Sequence, residues 1–154
     1  MIALDQQTGS TTAVAVKPPV SELLVLVVED SGIVRERLIR LLSTVPNLRI
    51  VAEATNAAAA IAKIAEHAPD VVTLDLRLEK SSGLDVLRAV EDSARRPCMA
   101  VLTNYGDSQS RRECMALGAD FFFDKSLELA NLREILIELA RSAKAGIRWP
   151  ARSV

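Results

Sequence analysis

Short apolar runs alternate with longer stretches of helical periodicity along most of this chain, and that alternation leaves few folds open. The runs are Leu23–Val28, 49–54, 71–74, 98–102 and 121–123, and their near-continuous apolar character suits strands covered on both faces. Between the first two, Val34, Leu38, Leu41, Leu42 and Val45 share one helix face; Ala57, Ile61, Ile64, Ala65 and Ala68 make a second such stripe. Shorter helices are expected over 84–93 and 108–117, and a longer one over 127–143 lines up Leu129, Leu132, Leu136 and Leu139. The order is (βα)5. Five such units joined by short loops favour an α/β fold, an open doubly wound five-stranded parallel sheet with helices on both faces.

Within 154 residues, 49% of them hydrophobic, one core of this kind can be filled and a second independent domain has no room. Residues 1–20 mix Gly, Ser, Thr and Gln before Lys17-Pro18-Pro19 and read as a flexible leader; 21–143 form the folded domain, and 144–154 a tail whose Trp149 could anchor a partner or fold back. A net charge of −1 gives no electrostatic footprint for nucleic acid or an anionic membrane surface, and no apolar run approaches the roughly 20 residues of a spanning helix. A cytoplasmic location is expected, where Cys98 and Cys114 serve as buried small hydrophobes rather than a disulfide. His67, the only histidine, closes the second helix, where a cation suits the dipole.

Chemistry is expected beyond the carboxyl ends of the strands, because ligands of open parallel sheets bind there. At those ends stand Glu29 and Asp30, then Asp75, Thr103 and Lys125. Parallel strands all point one way, so these residues are forced onto one rim. Carboxylates crowded there raise one another's pKa unless a cation sits among them, and an all-oxygen donor set suits Mg2+ or Mn2+ better than zinc. Singly, Glu29-Asp30-Ser31 would pass for a helix cap, Asp75 for a turn residue and Lys125 for a solvated charge. Together, at the ends of different strands of one sheet, they form a site.

These residues carry a resemblance to the receiver domains of bacterial response regulators, spanning most of the chain. Leu-Val-Val-Glu-Asp-Ser is similar to that family's first strand and acidic pair. Val-Val-Thr-Leu-Asp-Leu-Arg-Leu, followed by Gly83-Leu84, resembles its phosphoacceptor strand and glycine-bearing loop. Val-Leu-Thr ending at Thr103, and Gly118-Ala119-Asp120 leading to Lys125, resemble its last two strands. The resemblance implies a CheY-like fold with Asp75 as phosphoacceptor. It implies a metal held by Glu29, Asp30, Asp75 and the main-chain carbonyl of Arg77, with Thr103 and Lys125 sensing the phosphoryl group. Phe122 then takes the place of the switch aromatic.

The same resemblance implies a sensor histidine kinase or phosphotransfer protein as donor. It implies output by contact with another protein, by phosphorelay, or by a phosphorylation-dependent homodimer. The chain would then be no enzyme beyond its own phosphorylation and dephosphorylation. The segment 107–117, with Arg111 and Arg112 exposed, is the expected mobile piece. Three positions depart from the family pattern: Ser126 stands where proline with a cis peptide is usual, Glu79 where proline is frequent, and Asn104 where a very small residue is common. Two alternatives fit less well: a receiver-like module that no longer takes phosphate, and a Mg2+-dependent phosphatase of the haloacid-dehalogenase type. The second needs an acid where Arg77 stands. A nucleotide-binding domain lacks its glycine-rich loop after the first strand.

Overall fold

The structure, a computed structural model, describes residues 21–104 and 106–147; the leader expected over 1–20 and Trp149 lie outside them. Five parallel strands alternate with five helices: β1 (Leu23–Val28), α1 (Gly32–Leu42), β2 (Leu48–Ala54), α2 (Ala57–His67), β3 (Val71–Asp75), α3 (Gly83–Val90), β4 (Cys98–Thr103), α4 (Ser108–Ala116), β5 (Phe121–Asp124) and α5 (Leu129–Lys144). The sheet order β2-β1-β3-β4-β5 puts β3, which ends in Asp75, at the centre. This is the flavodoxin-like CheY fold.

Successive residues of β1 serve opposite faces, as the period of a strand requires. Val25 and Val27 pack with Leu38 and Leu42 of α1 and Leu132 and Leu136 of α5, whereas Leu26 and Val28 pack with Ala57 and Ala60 of α2 and Val86 and Leu87 of α3. Each fully buried Leu or Val contributes about 1.5–3 kcal/mol. Cys98 and Cys114 are buried in clusters on the two opposite faces and form no disulfide. Burial pushes the Cys114 thiol up to about 11, so it stays protonated.

Three local expectations need correction. The buried face of α2 runs through Ala57 and Ala60 toward Ile64, while Ile61, Ala65 and Ala68 are exposed. In an alanine-rich helix the apolar pattern fixes the period but leaves the rotation open, and the smallest side chains turn to the sheet. Helix α3 ends at Val90 because the following amides, Glu91 to Arg88 at 3.4 Å and Ser93 to Val90 at 3.0 Å, tighten to three-residue spacing. Helix α5 starts at Leu129 rather than 127, since the amides of Leu127 and Glu128 are spent on the Asp124 carbonyl. An antiparallel bridge, Arg77–Leu78 with Ser81–Ser82, also follows β3. Lys80 sits at its tip with φ 51, in the turn that contains Glu79.

Candidate functional site

The rim forms as the strand directions require. Carboxylate oxygens of Glu29, Asp30 and Asp75 lie within 4.8 Å of one another, Glu29 and Asp75 buried and Asp30 exposed. The Lys125 ammonium reaches across the sheet to Glu29 Oε1 at 2.5 Å and Asp75 Oδ2 at 3.2 Å. Thr103 is fully buried at the end of β4, and its carbonyl accepts the Lys125 N–H at 3.0 Å. The Arg77 amide donates to Asp75 Oδ1 at 3.3 Å. Glu29, Asp30, Asp75 and Lys125 are thus assembled, with Thr103 beside them.

Phe122 stands on the face of β5 opposite α5, buried with α2, α3 and α4 residues. The Arg111 guanidinium lies 4.8 Å from its ring centroid. The ring also abuts Gly106, where an added Cβ would come within 2.8 Å of Phe122 Cε1. A second close approach fixes the nucleophile loop: a Cβ on Gly83 would meet the Asp75 carbonyl oxygen at 2.5 Å, so only glycine lets α3 start there.

Two contributors escape the sequence pattern. Arg35 of α1 donates to the Glu29 carbonyl at 2.9 Å and pairs with Glu53 at 3.0 Å, holding the acidic loop from below. Asp124 accepts the Ser126 amide at 2.8 Å. For Arg35 no local signal exists, because its partners lie on other elements; for Asp124 the spacing Asp-x-Ser around the lysine is a turn signal. No peptide bond is cis among the described residues, so Lys125–Ser126 is trans, unlike the usual arrangement before proline.

Burial raises the Glu29 carboxyl above its ordinary 4.5, the nearby Asp75 charge adds to that, and the Lys125 bond opposes it. A carboxyl raised on folding contributes stability that is full below the unfolded value and lost as pH rises through the folded one. Relative to wild type, Glu29→Gln should therefore gain stability as pH climbs above 4.5. Urea unfolding of both proteins across pH checks this; a difference that stays flat or falls would contradict it.

An acidic cluster with a bridging lysine at the carboxyl edge of a (βα)5 sheet defines a class, and the comparisons with known proteins agree on it. Residues 25–137 match the response regulator receiver domain model, and the chain belongs to that family. Among curated proteins it is 38% identical over 136 residues to protein-glutamate methylesterase/protein-glutamine glutaminase 5 of Myxococcus xanthus, covering 88% of this chain and 38% of that one. The corresponding protein 1 of Methanospirillum hungatei is 36% identical over 123 residues, covering 78% and 36%. The chain thus spans less than two fifths of these relatives. Of solved structures, the response regulator domain of Thermotoga maritima CheB superimposes with a TM-score of 0.66 at 26% identity, covering 80% of this chain and 97% of that domain. The CheX-CheY-BeF3-Mg+2 complex of Borrelia burgdorferi gives 0.70 at 23% identity, covering 77% and 89%, a likeness of fold.

Proposed function

We propose that this receiver takes a phosphoryl group onto Asp75 from a histidine kinase or phosphotransfer protein, in a reaction that depends on Mg2+ or Mn2+. The observation that carries the reading is Lys125 bridging Glu29 and Asp75 inside a cluster of three carboxylates. Three oxygens within 4.8 Å, one of them on a carboxyl that burial leaves reluctant to ionise, fit a hard divalent ion. Glu29, Asp30, Asp75 and the Arg77 main-chain carbonyl would hold it. When bound, such an ion cancels the repulsion between an anionic nucleophile and an anionic phosphoryl group.

The residues of the chain do the rest. Asp75 Oδ attacks phosphorus, and the bond to the donor nitrogen breaks with its electron pair returning to the imidazole. Lys125 shifts from carboxylate toward a phosphoryl oxygen, and the Thr103 hydroxyl donates to another. Any movement of Thr103 and Lys125 is transmitted to the loop after β4, to α4 and to Phe122, which form one edge with α5. Output follows by contact with another protein, by relay, or by a homodimer formed on phosphorylation, in the cytoplasm. The relatives' names describe an esterase and glutaminase, but this chain spans less than two fifths of their length and most of it matches the receiver model, so the reading here is phosphoryl transfer.

Asp30→Asn tests the metal role. Because Asp30 is exposed and removing it relieves repulsion, the variant should fold while Mg2+ affinity falls at least about tenfold, the loss typical even of a residue that only supports a ligand. Calorimetric titration and phosphorylation with a small phosphodonor measure the two effects. Slower phosphorylation at unchanged Mg2+ affinity would remove Asp30 from the metal set.

A further inference from the structure

The loop that presents Lys125 is held by its neighbours rather than by the lysine itself. Asp124 Oδ1 accepts the Ser126 N–H at 2.8 Å, and the Asp124 carbonyl accepts the amides of Leu127 at 3.2 Å and Glu128 at 2.8 Å. In return the Asp124 N–H donates to Glu128 Oε1 at 2.8 Å. The Ser126 hydroxyl donates to Asn104 Oδ1 at 3.3 Å, which ties this loop to the one after β4. The backbone on both sides of Lys125 is therefore fixed, by Thr103 on one side and by this clamp on the other.

We propose that Asp124 is a positioning residue for Lys125, its carboxylate folding the trans Lys125–Ser126 loop so that the ammonium falls between Glu29 and Asp75. The inference rests on the function proposed above and deepens it. The clamp uses an N–H that proline, usual at this place in receivers, does not have. Hydrogen bonding from Ser126 holds the Asp124 carboxyl below its ordinary value, so the clamp is intact at neutral pH. A long, flexible side chain such as lysine depends on its backbone for aim, and misplacement by about an ångström can slow a reaction as much as 100-fold.

The measured quantities are the phosphorylation rate with a small phosphodonor, Mg2+ affinity by calorimetry, and the resonance of the Lys125 ammonium. Asp124→Ala should slow phosphorylation about tenfold with Mg2+ affinity changed by less than about twofold, and Asp124→Asn, which keeps the accepting oxygen, should recover most of the rate. Ser126→Pro should resemble Asp124→Ala, whereas Ser126→Ala, which keeps the amide and loses only the hydroxyl bond to Asn104, should slow the reaction much less. Wild-type rates in folded Asp124→Ala and Ser126→Pro would overturn the proposal, as would lowered stability with no change in rate. If Asp124→Ala does not fold, Ser126→Pro and Asp124→Asn decide the matter. If wild type takes no phosphate at all, the proposed function fails; the clamp is then judged by the ammonium resonance, which should shift in Ser126→Pro and would refute the clamp by staying put.

Discussion

Asp75→Asn is expected to abolish the phosphoryl adduct that wild type forms with Mg2+ and a small phosphodonor. An amide is a poor nucleophile and brings no charge to a metal, so the variant loses both the attacking atom and a ligand. The fold should survive, because Lys125 keeps Glu29 at 2.5 Å and the strand is buried in the sheet centre. Loss of reaction can therefore be assigned to chemistry. Intact mass after treatment should show one added phosphoryl group on wild type, lost in base and kept in acid, and none on the variant. Equal modification of both would mean that another side chain, Glu29 or Asp30 first among them, is the acceptor.

A comparably large effect, on stability instead of reaction, is expected at the start of β5. Arg96 and Asp120 pair at 3.3 Å with side chains only 7% and 4% exposed, and Asp120 Oδ2 also accepts the Met99 amide at 2.8 Å. Arg96 further donates to the Gly118 carbonyl. Asp120→Ala leaves a buried guanidinium and a backbone N–H without this partner, which costs about 3–5 kcal/mol. Against a total of about 5–15 kcal/mol for an ordinary domain, that is a large fraction. Chemical denaturation should show the lowered midpoint with an unchanged slope. Arg96→Met together with Asp120→Leu should be far less damaging than Asp120→Ala alone, because no charge is left stranded. A loss under about 1 kcal/mol in Asp120→Ala would show that water reaches the pair.

The carboxylate rim is legible in the sequence for a topological reason. Once β1, β3, β4 and β5 are read as parallel, Glu29, Asp30, Asp75, Thr103 and Lys125 have no other place to go. Side-chain neighbours across elements carry no such constraint. Arg35 reaches Glu53 from another element, and Arg96 meets Asp120 across a strand register that no periodicity encodes. The rotation of α2 is hidden by its composition, since a helix of alanines has nearly the same hydrophobic pattern for several orientations. The Asp124 clamp is intermediate. Its turn chemistry is local and visible, but its bearing on Lys125 depends on where the loop leaves the sheet.

Helix α4 buries a single side chain fully, Cys114, whereas α5 buries Leu132, Leu136, Ala140 and Ala143. That imbalance sets a scale of work. Carrying a two-state element from 1:99 to 99:1 takes about 5.5 kcal/mol. Burial of one small apolar side chain contributes on the order of 1–2 kcal/mol, and a hydrogen bond to a charged group about 1.5–3 kcal/mol. Two such bonds, which the proposed function assigns to Thr103 and Lys125 on one phosphoryl group, are therefore commensurate with the anchorage of α4 and small beside that of α5. On the function proposed above, α4 is the element directly downstream of β4 whose anchorage a single covalent modification could offset.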